Sequence, residues 1–224
     1  MTHETAGDLN YDYLGVSDVN DSTEYKRRTM EAYDALVDEL AEGYAHHFET
    51  YARLEADHFL AKLKQGGRIL DIGCGAGAAS RYFAAQGYTP VSADLSAAML
   101  KECQRRGLTR LVRLDLEVLP FSKTSFEGVW AHTSLLHVPK PRLSDALKGL
   151  GKILKPGGML FIALREGEKE GYERQSGLER WFANYQEDEF ERYIPSTYCL
   201  ERFSKMDRQI VTFLNYHLVK LGES

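Results

Sequence analysis

Apolar residues recur along this chain in two different rhythms. Between Glu24 and Leu63 they fall at three- and four-residue steps, so Leu36, Val37, Leu40, Tyr44 and Phe48 share one stripe of an amphipathic helix. Gly66-Gly67 ends that stretch. From Arg68 onward, short apolar runs alternate with helical ones. Arg68–Ile72, Thr89–Ala93, Leu108–Leu114, Gly128–Ala131 and Met159–Leu164 read as strands, while Ala78–Gln86, Ser96–Arg106 and residues 141–154 read as helices. Ser96 supplies a side-chain cap to the second helix, and Lys155-Pro156-Gly157-Gly158 closes the third. Met159–Leu164 is apolar nearly throughout, as a strand buried on both faces should be. This alternation predicts an α/β fold with a mostly parallel sheet covered on both sides.

The flanks differ. Residues 1–24 are polar, acidic and without period, which predicts a loose arm. Beyond Arg165 the chain is charged and carries glycines. Trp181, Phe182, Tyr185 and Phe190 then predict a helical stretch, and Tyr198–Phe203 with Ile210–Val219 predict a closing pair of strands. The expected organisation is an arm over residues 1–24 and a single domain over 25–224. Helical cover segments are expected at about 25–63 and 165–195.

Composition narrows the classes. With 224 residues and 43% hydrophobic content, the chain can bury one substantial core. A net charge of −5 weakens a nucleic-acid partner, since affinity for phosphate backbones comes from Lys and Arg. The locally basic set Lys101, Arg105, Arg106, Arg110 and Arg113 reads as the solvated face of a helix and the strand entry after it. No run approaches the ~18 apolar residues of a membrane span, and the first residues lack the layout of a secretory signal. A cytoplasmic protein without a membrane partner is expected. Cys74, Cys103 and Cys199 fit neither a disulfide framework nor a zinc ribbon, and no metal site is expected. His46, His47 and His58 read as exposed.

The chemistry concentrates at the turn Asp71-Ile72-Gly73-Cys74-Gly75-Ala76-Gly77. Closely spaced glycines after a strand let backbone N–H groups approach a ligand, and the carboxyl end of a parallel strand marks the ligand crevice. Asp71 stands where a dinucleotide-binding turn carries an apolar residue, and a carboxylate there suits a ligand with an ammonium group. Asp94, at the end of the second strand, sits where an acid accepts from both ribose hydroxyls; capping the next helix is the competing role. Asp115 ends the third strand and can accept from an adenine amino group, with Leu95, Leu116 and Leu119 offering apolar contact to the ring.

These segments, with Phe126–Trp130, Leu135–Pro139 and Leu154–Ile162, resemble the ordered motifs of class I S-adenosylmethionine-dependent methyltransferases, most nearly the small bacterial type-11 and type-25 groups. The resemblance implies a Rossmann-like seven-stranded sheet in the order 3-2-1-4-5-7-6, strand 7 antiparallel, with helices on both faces. It also implies S-adenosyl-L-methionine as cofactor. Asp71, Gly73, Gly75 and Gly77 would surround its methionine moiety, Asp94 its ribose, and Asp115 and Leu116 its adenine, with Cys74 and Leu95 also in the cofactor-binding set. Tyr33 matches an N-terminal Tyr-Asp that closes over the cofactor in relatives, and His132, at the end of the fourth strand, completes the expected binding set. The fourth strand does not run into the Asn/Asp-Pro-Pro-aromatic turn used on base amines and glutamine side chains, and no Pro-Cys pair is present for cytosine C5 methylation.

The resemblance points to methyl transfer by in-line displacement to a small-molecule acceptor. A base is needed when the acceptor loses a proton as it attacks. His137 is the first candidate, since an imidazole of ordinary pKa ~6.5 takes up protons near neutrality; His132, Tyr33, Tyr44 and Tyr172 follow. Holding the loop or the cofactor is the alternative role for His137. Two other readings stay open: a nicotinamide-dependent oxidoreductase, because Gly73, Gly75 and Ala78 also fit G-x-G-x-x-A, and a non-catalytic S-adenosylmethionine-binding regulator.

Overall fold

The structure, a computed structural model, describes residues 12–14, 23–208 and 210–222. The expected loose arm lies largely outside the described residues. Within it, β1 (Asp12–Leu14) is a strand. The helical region that follows is broken rather than continuous: α1 (Glu24–Ala35), α2 (Val37–His47), a wide π-turn over Phe48–Ala52, and α3 (Arg53–Ala61). Leu36 leaves helical geometry at φ −99°, ψ 10°. The π-turn adds a residue to one turn. Phe48 and Ala52 are buried there, while His47 and Tyr51 line a cavity.

The alternating part follows the expected order: β2 (Arg68–Ile72), α4 (Ala78–Ala85), β3 (Thr89–Asp94), α5 (Ala97–Arg105), β4 (Leu111–Arg113), β5 (Phe126–His132), α6 (Lys140–Ile153) and β6 (Leu154–Arg165). Ser96 caps α5 by accepting from Met99 N at 3.1 Å. Lys101, Arg105, Arg110 and Arg113 are exposed as expected, whereas Arg106 is half-buried and, like Arg105, pairs with Glu102 one helical turn away. Then come β7 (Glu170–Gln175), β8 (Leu178–Ala183), a short α7 (Glu187–Glu191), β9 (Tyr198–Arg208) and β10 (Val211–Lys220).

The main sheet runs β4-β3-β2-β5-β6-β10-β9. Numbered along the chain by its own seven strands, that is the order 3-2-1-4-5-7-6, with the seventh antiparallel to both neighbours. Side-chain alternation divides the core between the two faces. Leu70, Ile72 and Val129 pack toward α6, whereas Ile69, Trp130 and Phe161 pack toward α3 and α4. Trp130 stacks on Phe161 at 3.9 Å, with Phe59 and Phe83 edge-on to it. Each such fully buried ring contributes ~2–3 kcal/mol of apolar transfer.

The second cover segment corrects the sequence expectation. Most of the stretch around Trp181 and Phe182 is not helical but forms a hairpin, with β7 between β1 and β8 in a small antiparallel sheet. Ser176 and Gly177 both take positive φ (50° and 79°), the geometry of a two-residue hairpin turn matched to strand twist. The hairpin packs on α1: Trp181 N donates to Thr29 Oγ1 at 2.9 Å, and Tyr25, Tyr172 and Trp181 form a small core of their own. Among the described residues, no helix is long and apolar enough to cross a membrane.

Candidate active site

Parallel pairing brings the carboxyl ends of β2, β3 and β4 side by side, with Ile72 opposite Ala93 and Asp94 opposite Arg113. The turn after β2 is fixed by three glycines with positive φ, Gly73, Gly75 and Gly77. At Gly73 a Cβ would stand 2.3 Å from Ser134 Cβ, and at Gly77 it would stand 2.4 Å from Leu108 Cδ1. Both positions therefore exclude any side chain. Gly75 borders the cavity opposite the Tyr44 ring, 3.3 Å from where a Cβ would lie.

Asp71 is buried, 3% exposed, and Ser80 donates to its Oδ2 from both N (3.1 Å) and Oγ (2.7 Å). Burial outweighs these bonds and pushes its pKa up to about 7. Asp94 is half-buried and accepts from Ser96 N on Oδ1 and Gly75 N on Oδ2, both at 2.9 Å. It thus joins the glycine turn to the start of α5, and each oxygen keeps a second lone pair. Burial raises its pKa as well. Asp115 accepts from Glu117 N at 2.9 Å and from Lys26 Nζ of α1 at 2.5 Å. Leu95 and Leu116 line the same cavity, whereas Leu119 packs against the core below it. Cys74 lies in the turn with Sγ 3.8 Å from Cys103 Sγ.

One cavity of about 940 Å³ is lined by the three acids, Gly73, Cys74, Gly75, Leu95 and Leu116, together with Tyr33, His132 and His137, whereas Gly77 does not line it. A pocket for one small ligand is ~300–1,000 Å³, and this cavity lies at the upper end of that range. A glycine turn closed to side chains, a buried carboxylate without a cation, and an acid with free lone pairs fit the two ends of S-adenosylmethionine. Among the described residues, no group of three or more His, Cys, Asp and Glu is placed to hold a metal ion.

His137 is half-buried in the short turn Leu135–His137 after β5. Its Nδ1 lies 2.5 Å from Trp181 O and its Nε2 lies 2.7 Å from Tyr33 Oη. A carbonyl only accepts, so Nδ1 carries the proton and Nε2 accepts from the tyrosine. Burial depresses its pKa to about 3 despite the Trp181 carbonyl, with Arg180 and Arg165 adding to the depression. The ring is neutral and both nitrogens are occupied, tying α1 and the hairpin to the end of β5.

Several lining residues were not anticipated. His47, expected to be exposed, is half-buried beside His132. Tyr51, Arg180, Arg208 and Phe213 line the same region. Helical spacing alone did not separate His47 from His46, which is exposed as expected. His58 is half-buried and faces Glu201 at 2.7 Å, and Tyr172 is buried in the hairpin away from the cavity.

Residues 70–162, which contain all three acids, match the methyltransferase domain family of type 11. Over that part of its length the chain is similar to a methyltransferase domain. Over 133 residues it is 35% identical to a malonyl-[acyl-carrier protein] O-methyltransferase of Enterobacter lignolyticus, covering 58% of this chain and 52% of that protein. It is 34% identical over 114 residues to a ubiquinone biosynthesis O-methyltransferase of Xanthomonas oryzae pv. oryzae, covering 48% of this chain and 47% of that one. The chain thus spans about half the length of these relatives. The methyltransferase fold extends further: the Burkholderia thailandensis 1,6-didemethyltoxoflavin-N1-methyltransferase, solved with its substrate and S-adenosylhomocysteine, superposes with TM-score 0.76 at 17% identity. That superposition covers 98% of this chain and 99% of that one.

Proposed function

We propose that this domain transfers a methyl group from S-adenosylmethionine to a small-molecule acceptor in the cytoplasm. The observation that carries the reading is the convergence of Asp71, Asp94 and Asp115 from three adjacent strand ends on one cavity floored by the glycine turn. When bound, the sulfonium supplies an activated methyl carbon. The chain's own residues align and enclose. Asp71 holds the ammonium, Asp94 accepts from the ribose hydroxyls, and Asp115 with Leu116 borders the adenine. Gly73 and Gly75 let the backbone lie against the ligand, with Cys74 between them. Tyr33 and His132 line the space between donor and acceptor, and aligning the two reactants there supplies much of the rate.

His137 acts in this reading as a positioning residue. With Nδ1 on Trp181 O and Nε2 on Tyr33, it fixes the cover segments against the sheet. The cover excludes water during transfer.

Calorimetry with S-adenosylhomocysteine and NADH side by side tests the cofactor assignment. Binding of the former alone supports it; binding of NADH alone restores the oxidoreductase alternative. Gly75→Val should abolish binding, because the side chain fills the approach path. Incubating the protein with labelled methyl donor and metabolite extracts then tests turnover. Donor binding without transfer would favour a regulatory role.

A further inference from the structure

The end of the cavity away from the acids holds two imidazoles with unpaired nitrogens. The rings of His47, on α2, and His132, at the end of β5, have centroids 5.1 Å apart. The Nε2 of each is enclosed and makes no hydrogen bond. Arg208 Nη1 lies 2.6 Å from His47 Nδ1. A guanidinium carries donors alone, so His47 Nδ1 is the lone-pair nitrogen and its proton sits on Nε2. Protonating His47 would set an N–H against that guanidinium. Burial first, then Arg208 and His46, hold its pKa at about 4.

His132 is neutral too. Burial holds its pKa at about 3, His47 and Arg208 add to this, and Glu55 opposes weakly. Its Nδ1 faces Thr133 Oγ1 at 3.4 Å, which can take the Nδ1 proton and leave Nε2 as an acceptor. An enclosed polar group without a partner costs ~1–3 kcal/mol, which a suitable ligand recovers. The rings of Tyr51 and Phe213 lie 5.4 and 5.6 Å from His47, so aromatic surface flanks the pair, with Arg208 over the Tyr51 ring.

Resting on the methyl-transfer reading, we infer that His47 and His132 are the acceptor's docking pair. His132 Nε2 accepts the proton of the hydroxyl to be methylated, and His47 Nε2–H donates to an oxygen on the adjacent carbon. The acceptor class is a planar ring with a hydroxyl beside a second oxygen. In the transfer, the hydroxyl oxygen forms the new O–C bond and the S–C bond breaks with its electron pair passing to sulfur. The hydroxyl proton moves to His132 Nε2 and from there to solvent. A weak base suffices, because an oxygen that has gained a methyl while keeping its proton is strongly acidic.

The test is calorimetric titration of the S-adenosylhomocysteine-loaded protein with 2,3-dihydroxynaphthalene, 2-naphthol and 2-naphthoate. The diol should bind at least about tenfold more tightly than 2-naphthol, the worth of one recovered hydrogen bond. The advantage should vanish in His47→Phe and His132→Phe. It should persist in His47→Gln, whose amide can accept from Arg208 and still donate. The circular dichroism spectrum and melting temperature of each variant report the fold. Should both phenylalanine variants lose it, nitrogen-15 spectra of the wild type decide: His47 must be the Nε2–H tautomer at pH 6, and the diol must shift Nε2 of both rings. Equal binding of diol and 2-naphthol, preference for the naphthoate, no binding of any probe, or a preference surviving both phenylalanine variants overturns the pairing. Failure of the wild type to bind S-adenosylhomocysteine removes the methyl-transfer reading itself.

Discussion

Binding of S-adenosylhomocysteine at the acid end of the cavity should expel a proton from Asp71. Its carboxyl is buried and held at a pKa of about 7 by desolvation. At pH 7 it is therefore about half protonated in the free protein, and at pH 6 about nine-tenths. The ligand's ammonium, already charged at either pH, favours the carboxylate. Returning the group to its ordinary pKa of 3.8 corresponds to about 4 kcal/mol of differential interaction, and half of that suffices to ionise it fully at pH 7. Calorimetry in buffers of low and high ionisation enthalpy reads the proton count directly. About 0.5 proton should be released at pH 7 and about 0.9 at pH 6, and the Asp71 share should vanish in Asp71→Asn. Asp94, whose pKa is also raised, stays in the variant, so the difference isolates Asp71. The sign carries over to stability. A carboxyl raised in the fold contributes stability below its unfolded pKa and loses it as pH rises through about 7. The ligand-free protein should thus melt higher at pH 6 than at pH 8, by a margin that Asp71→Asn removes. No buffer dependence at either pH, or one unchanged in the variant, refutes the ammonium assignment.

The remaining expectations are simpler. Asp94→Ala should weaken S-adenosylhomocysteine binding by ~2 kcal/mol or more, since hydrogen bonds to a charged acceptor contribute ~1.5–3 each; unchanged calorimetric affinity with the fold intact counts against the ribose contact. Hydrogen exchange should slow on ligand binding in α1 and in the β7–β8 hairpin, because Lys26, Tyr33 and Trp181 link both to the site; equal exchange in the two states leaves the cover without support. For His137, the ring nitrogens already in use predict that His137→Gln keeps most of the transfer rate and His137→Ala loses more through misalignment. A loss of ~10²–10⁴-fold in kcat in both variants, with cofactor affinity intact, would restore it as the base.

The proposed donor half of the site is legible in the sequence because its signals are local. Asp71, Gly73 and Asp94 each sit at a strand end that the apolar rhythm marks, and parallel pairing does the rest. The acceptor half is not, because no local rule joins Tyr33 to His137 across 104 residues or His47 to His132 and Arg208. The hairpin was misread for a related reason. Trp181, Phe182, Tyr185 and Phe190 fit a helical stripe, and Ser176-Gly177, the turn that opposes it, carries a weaker signal than Asn-Gly. The break at Leu36 has no marker in the sequence.

The two halves of the cavity also differ in how far apart along the chain their parts lie. The donor half comes from residues 71–117, where each contact closes a short loop. The acceptor half needs Tyr33, His47, His132, Arg208 and Phe213 together, which amounts to nearly the whole chain. Loop closure makes such distant contacts slow and late in folding. The donor half can thus form on a partly folded sheet while the acceptor half waits for β9 and β10 to dock. Sequence change at that end therefore acts on contacts that close late, and the acid end can keep its geometry while they vary.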